Sequence, residues 1–266
     1  MRRHIQSIDG YQIHYQCHGK KDNKALLLLN GLGGNSNVWQ EYVKALEETY
    51  YIITIDYRGF GMSDRPQNVE SYHIERFIDD INCIIEKENI GDHAIVGHSF
   101  GGFIGLHHAR RCHEKISHII IIQSSLEISA IWQQLATQLP VNTILKNILS
   151  IAPTFHRKRY QNFSRYKNKS DLEPWHIIND IIHASFFSYM ATMYNHQNYC
   201  STKISMIPTR TMLIAGKKDV LCPVRQVLKL TSIVPNNTVV EYDDNHLLPI
   251  NNPALIINNI RTFIPV

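Results

Sequence analysis

At 266 residues, with 44% hydrophobic and 19% charged side chains, the chain can bury a full core and has the balance of an ordinary soluble globular protein. The formal charge of +4 is too mild to argue for nucleic acid. The opening MRRHIQSIDG lacks the apolar core of a secretory signal, and no run approaches the roughly 18 apolar residues of a membrane span.

The five cysteines (Cys17, Cys83, Cys112, Cys200 and Cys222) are scattered, with no C-x-x-C pair. They read as free thiols of a reducing compartment, so a cytoplasmic protein is expected. No clustered His/Cys spacing suggests a metal. The glycines at 31, 33 and 34 form no dinucleotide fingerprint, and no cofactor is expected.

In chain order, HIQSID and YQIHYQC alternate around Asp9-Gly10 as a β-hairpin does. ALLLLN (25–30) and YIITIDY (51–57) are continuous apolar runs that suit strands buried on both faces, with helical spacing in VWQEYVKALEE between them. Ile74, Phe77, Ile78, Ile81, Ile84 and Ile85 recur every three or four positions, predicting an amphipathic helix over 74–89. HAIVGH predicts a short strand, FGGFIGLHHARRC a helix and SHIIIIQS another buried strand. RTMLIAG and NTVVEYD follow as strands separated by a helical VRQVLKLTSIV, and PALIINNIRTFI closes the chain as a helix.

Strands alternating with helices imply an α/β protein with a mostly parallel sheet covered on two sides. The pattern changes after Leu126, where helical segments with large side chains replace strands. The predicted division is a core of residues 1–125 and 209–266 with an inserted helical cap over 126–208.

AIVGHSFGG (94–102) then raises a specific possibility. Ser99 stands between Gly97 and Gly101 where a buried strand meets a helix, the setting of a G-x-S-x-G nucleophile elbow; a plain glycine-rich turn is the alternative. A tight strand-to-helix turn leaves no room for β-carbons at 97 and 101. The amide of Phe100, opening the helix, would face an oxyanion formed beside the serine.

The chain resembles the α/β-hydrolase superfamily over essentially its whole length. GHSFGG resembles the family's elbow and NGLGGNSNVW its oxyanion loop, normally His-Gly where this chain has Asn30-Gly31. DYRGFGMSD resembles its D-x-R-G-x-G-x-S-D loop, and AGKKDVLCP and DDNHLLP its acid and histidine loops.

The resemblance implies Ser99 as nucleophile, His246 as general base and Asp219 as the acid that orients the imidazole, in the chain order of that fold. The backbone amides of Leu32 and Phe100 would form the oxyanion hole. Asp243 and Asp244, close to His246, and Glu127, after the SHIIIIQS strand, compete with Asp219 for the acid. Arg58 and Asp64 are expected to stabilise their loop, and His98 to pack beneath the sheet, with lining the elbow as its alternative.

Asparagine at 30 can still donate and accept in place of the usual histidine. Trp132, Trp175, Phe186 and Met190 are the cap's candidates for a substrate pocket, with packing onto the core as their other possible use. The basic run 157–169, interleaved with Tyr160, Phe163 and Tyr166, reads as a solvated part of the cap. Weak contact with an anionic membrane surface is a further possibility, and no nucleic-acid partner is expected.

The expected function is a serine hydrolase of the carboxylesterase or lipase kind, cleaving a small-molecule ester with an apolar or lipid-like acyl group. A carbon–carbon hydrolase with the same three residues and a non-catalytic binding protein on the same fold are the alternatives. Epoxide hydrolases and haloalkane dehalogenases of the superfamily carry a carboxylate at the elbow, where this chain has a hydroxyl.

Overall fold

The computed structural model describes residues 2–126, 161–199 and 206–266. The strands are β1 (Arg2–Gln6), β2 (Gln12–His18), β3 (Ala25–Leu29), β4 (Tyr51–Asp56), β5 (His93–His98), β6 (Ile116–Ile122), β7 (Arg210–Gly216) and β8 (Asn237–Tyr242). They form one sheet in the order β1-β2-β4-β3-β5-β6-β7-β8. The β1–β2 hairpin and the β2–β4 pair are antiparallel, and every pairing from β4 to β8 is parallel.

The continuous apolar runs have the expected cause. Leu27 and Leu29, Ile53 and Ile55, and Ile119 and Ile121 face one side of the sheet, while Leu26, Leu28, Ile52, Ile120 and Ile122 face the other. Both faces are covered, so alternate residues of each strand are buried in different cores. Helices α2 (Ile74–Glu88) and α3 (Phe100–Cys112) cover the first face, and all six apolar residues of the predicted α2 stripe are buried there. Helices α1 (Gln40–Leu46) and, near the C-terminus, Pro253–Phe263 cover the second.

The chain steps from β3 to β4 on one side and then returns past β3 to β5 on the other. That reversal opens a crevice beyond the carboxyl ends of β3 and β5, where parallel sheets take their ligands. The loop carrying Leu32 leaves β3 at this point, and Ser99 leaves β5.

Between Leu126 and β7, the described residues include α4 (Pro174–Ala184) and α5 (Phe186–Asn198), followed after β7 by α6 (Val224–Lys229), α7 (Leu248–Asn251) and α8 (Pro253–Phe263). Polar contacts tie α4 and α5 to the loop after β4. Arg65 donates to the carbonyls of His183 and Ala184 at 3.0 and 2.9 Å, and the Tyr72 and Ser188 hydroxyls meet at 2.8 Å. No helix among the described residues is long and apolar enough to cross a membrane.

Candidate active site

Ser99 is held at φ 52° and ψ −120°, a region that non-glycine residues rarely adopt and that neighbouring contacts must enforce. They do so from several sides. The Ser99 amide donates to the Ile122 carbonyl at 2.9 Å, and its carbonyl accepts from the Ser124 hydroxyl at 2.6 Å. A β-carbon on Gly97 would come within 2.5 Å of the Gly101 carbonyl, and one on Gly101 would strike the Leu29 carbonyl of β3. The two glycines allow the turn by letting strand and helix backbones approach this closely.

His246 follows β8, and Asp219 follows β7. The imidazole Nε2 lies 2.9 Å from Ser99 Oγ, and Nδ1 lies 2.7 Å from Asp219 Oδ2. Because a carboxylate can only accept, Nδ1–H is the donor to Asp219, and the lone pair of Nε2 faces the serine hydroxyl. Asp219 Oδ1 accepts the amides of Leu221 and Cys222 at 2.9 and 2.7 Å, which fixes the carboxylate's orientation.

Burial pushes the His246 ring toward a lower pKa. The charge and hydrogen bond of Asp219, together with the charge of Asp171, outweigh that and leave it above its ordinary value. The competing acids are engaged elsewhere among the described residues. Asp243 pairs with Lys218 at 2.9 Å, and Asp244 accepts from the Asn245 amide and from Asn251. Glu127 lies outside the described residues.

Leu32 and Phe100 line the same cavity as Ser99 and His246, and neither amide donates to an acceptor among the described residues. The loop bearing Leu32 is braced by Asn30, whose side chain donates to the Gly31 carbonyl at 3.2 Å. Asp56 joins it to the D-x-R-G-x-G motif, accepting the Ser36 amide at 2.7 Å and the Met62 amide at 2.9 Å. Arg58 is fully buried between Asp80 and Asp9, and Asp64 accepts the Gln12 amide at 2.9 Å, so both serve loop structure as expected.

His98 takes the alternative of lining the elbow rather than packing beneath the sheet. It lines the cavity, and its Nε2–H donates to the His246 carbonyl at 2.9 Å, with the two rings 4.9 Å apart. Burial, reinforced by the neighbouring His246 charge, pushes its pKa down to about 3, so it stays neutral and keeps that donor.

Asp171 was not legible as a site residue. Its Oδ1 accepts the His246 amide at 2.8 Å and its Oδ2 the Val220 amide at 3.1 Å, so one carboxylate ties together the loops that carry the histidine and Asp219. The adjoining residues strengthen that seam. Asn168 N–H donates to Asn251 at 2.7 Å, and Asn245 donates to the Lys169 carbonyl at 2.6 Å. In the sequence, NKSD is one more polar stretch, with no local signal of these long-range bonds.

The cavity measures about 260 Å³. Phe163, Tyr166, Asp180, Tyr189, Met193 and His196 form its outer wall. The predicted pocket residues are not there. Trp175 is 68% exposed, Phe186 lies at the surface, and Met190 packs against the core without lining the cavity. Trp132 lies outside the described residues.

Helix phase is the reason for the difference. Tyr189, Met193 and His196 are spaced four and three apart along one face of α5, while Phe186 and Met190 share the neighbouring face. Of the basic run, Arg165, Lys167 and Lys169 are exposed, whereas Phe163 and Tyr166 turn toward the cavity. Among the described residues of the run, the aromatics and cations therefore do not share one surface. Arg157, Lys158, Arg159 and Tyr160 lie outside the described residues.

The profile of the α/β-hydrolase fold matches residues 24–253, and the chain belongs to that family. Its eight-stranded, mostly parallel sheet flanked by helices is the α/β-hydrolase fold. The chain is similar to epoxide hydrolase 3 of Xenopus tropicalis, 31% identical over 115 residues that cover 43% of this chain and 31% of that protein. It is also similar to epoxide hydrolase 1 of Caenorhabditis elegans, 21% identical over 275 residues, covering 95% and 68% of the two chains. Several such matches span only 31% to 43% of the relative's own length. The solved enol-lactonase from Burkholderia xenovorans LB400 superposes with a TM-score of 0.76 at 19% identity, covering 98% of this chain and 99% of that one, a likeness of fold.

Proposed function

We propose that the chain is a serine hydrolase that cleaves a carboxylic ester of modest size, with Ser99, His246 and Asp219 as its catalytic residues and stretch 126–208 as its cap. The observation that carries this reading is the unbroken row from Ser99 Oγ through His246 to Asp219, beside two amides free to receive an oxyanion.

A serine hydroxyl is too weak an acid to attack unaided. As Oγ adds to the ester carbonyl, its proton passes to His246 Nε2, and Asp219 stabilises the resulting imidazolium. The carbonyl oxygen, now an anion, takes hydrogen bonds from the Leu32 and Phe100 amides. Collapse breaks the ester C–O bond, and the departing alcohol takes the proton from His246. Water then attacks the acyl-serine with His246 again as base, releasing the acid and restoring Ser99.

An elbow hydroxyl supports acyl chemistry over epoxide opening, which in this superfamily uses a carboxylate at that position. The cavity of about 260 Å³ falls just below the range of roughly 300–1,000 Å³ usual for small-molecule sites, which favours short or medium acyl groups over long lipid chains.

The test is hydrolysis of p-nitrophenyl esters from acetyl to palmitoyl by the wild type and by Ser99→Ala. Turnover in the wild type that disappears in the variant is the expected result, with the optimum at a short or medium chain. A folded wild type inactive on every ester would overturn the proposal and direct attention to carbon–carbon substrates or to a binding role.

A further inference from the structure

Asp180, on α4, lines the same cavity as Ser99. Its Oδ1 accepts from the Tyr166 hydroxyl at 2.9 Å and from Gln161 Nε2 at 2.8 Å. Its Oδ2 takes no hydrogen bond from any described residue. Those bonds account for one oxygen as a brace between the 161–166 segment and α4, and they leave the other without a role.

The position of that second oxygen is informative. Gly33 has φ +81°, and a β-carbon placed on it would lie 2.8 Å from Asp180 Oδ2. The carboxylate therefore rests on the backbone of the loop next to Leu32, in the wall of the cavity that also holds Ser99.

No lysine or arginine lines the cavity among the described residues. The other acid in its wall, Asp171, has both oxygens engaged by the His246 and Val220 amides. The wall of the cavity also carries the apolar and aromatic side chains of Val38, Phe163, Tyr189 and Met193. Burial raises the Asp180 pKa to about 6, and the same carboxylate contributes to raising that of the Tyr189 phenol. With a pKa of about 6 the acid carries negative charge at neutral pH, and the described residues bring no lysine or arginine into the cavity to meet it.

An unpaired charge in such a setting is costly, and a cation brought by the ligand would relieve it. The same cation would offset the carboxylate's opposition to negative charge developing at the neighbouring Leu32 amide. We propose that the cavity takes substrates carrying a protonated amine and that Asp180 is the residue that receives it. This rests on the reading of the cavity as the substrate site, and it adds the chemical class that the ester reaction leaves open.

The test is calorimetric titration of the intact chain near neutral pH with hexylamine and with 1-hexanol, which match in length and differ in charge. Binding is read directly, so the result does not depend on turnover. The expected result is that the wild type binds the amine at least about tenfold more tightly than the alcohol. In Asp180→Asn the preference should vanish, with hexanol affinity within about twofold of wild type as the sign that the cavity is intact.

If the asparagine variant does not fold, Asp180→Ser removes the charge with a smaller side chain and carries the same test. Equal affinity for amine and alcohol in the wild type would overturn the proposal, as would full retention of the preference in the folded variant. Ester turnover lost in Ser99→Ala together with no amine preference would leave the hydrolase reading standing and remove this one. Amine selectivity without turnover on any ester would do the reverse.

Discussion

The inner wall of the cavity is made of strand ends. Ser99, Leu32, Asp219 and His246 each follow a parallel strand, and hydrogen bonds involving the backbone hold the Ser99 and Asp219 loops: Ser99 N–H to the Ile122 carbonyl, the Ser124 hydroxyl to the Ser99 carbonyl, and Leu221 and Cys222 N–H to Asp219 Oδ1. The outer wall is made of helix faces and a short irregular segment, where the side chains of Phe163, Tyr166, Asp180, Tyr189 and Met193 converge, with Tyr166 hydrogen-bonded to Asp180. A substitution in the inner wall should therefore abolish chemistry, whereas one in the outer wall should redirect it. Asp171 joins the two, since it belongs to the outer segment yet bonds to the loops of the inner wall.

The sharpest way to break this contrast is at the inner wall. Ser99→Ala should lower kcat by about 10⁶ with the fold intact, because in the proposed mechanism the three residues act as one unit. Asp219→Asn should cost about 10⁴ by favouring the wrong imidazole tautomer. Steady-state kinetics on the best p-nitrophenyl ester, with circular dichroism as a check on folding, would measure both. Losses below about tenfold in either variant would mean that the hydrogen-bonded row is not the reacting group.

The pH profile sharpens the same point. In the proposed mechanism His246 must be neutral to accept the serine proton, and its pKa lies above the ordinary 6.5. Turnover should therefore fall as pH drops through a midpoint above that value, and Asp219→Asn should move the midpoint down. Stability runs the opposite way. The raised pKa makes the His246–Asp219 pair contribute most below the unfolded value, and that contribution is lost as pH rises through the folded value. The Tm gap between the wild type and Asp219→Asn should accordingly narrow from mildly acid to alkaline pH.

Asp171→Ala should have an intermediate effect. It strands the Val220 and His246 amides and removes a charge that helps to raise the His246 pKa. A fall of about tenfold or more in kcat is expected, from roughly 1–3 kcal/mol per buried donor left unpaired. The acid limb should move to lower pH at the same time, a shift that simple loosening of the loops would not produce. The smallest effect belongs to the outer wall. Met193→Ala should lengthen the preferred acyl chain by one or two carbons, with preferences changing by about 1–3 kcal/mol per methylene. An unchanged chain-length profile would remove Met193 from the acyl pocket.

The inner wall was legible in the sequence because each part of it has a local cause. A serine between glycines at a strand-to-helix junction, and a histidine just after the last strand, are short-range patterns, and backbone geometry makes them so. Asp219 was harder to distinguish, since Asp243 and Asp244 stand nearer to His246 in the chain. Adjacent parallel strands decide the matter by bringing the loop after β7 beside the loop after β8. The sequence alone does not choose between packing and lining the elbow for His98, because its partner, the His246 carbonyl, is 148 residues away.

The outer wall was not legible for a different reason. Aromatic and methionine residues announced a helical segment with apolar surface, but the choice between Phe186 and Met190 on one side and Tyr189 and Met193 on the other depends on rotation of a helix about its axis. Strand periodicity, the two-faced sheet, the elbow and the histidine loop follow from residue order, since they rest on local backbone geometry and alternating burial. Which acid meets His246, which face of α5 borders the cavity, and the positions of Asp171 and Asp180 depended on long-range packing, because no short stretch of chain holds both partners of those contacts.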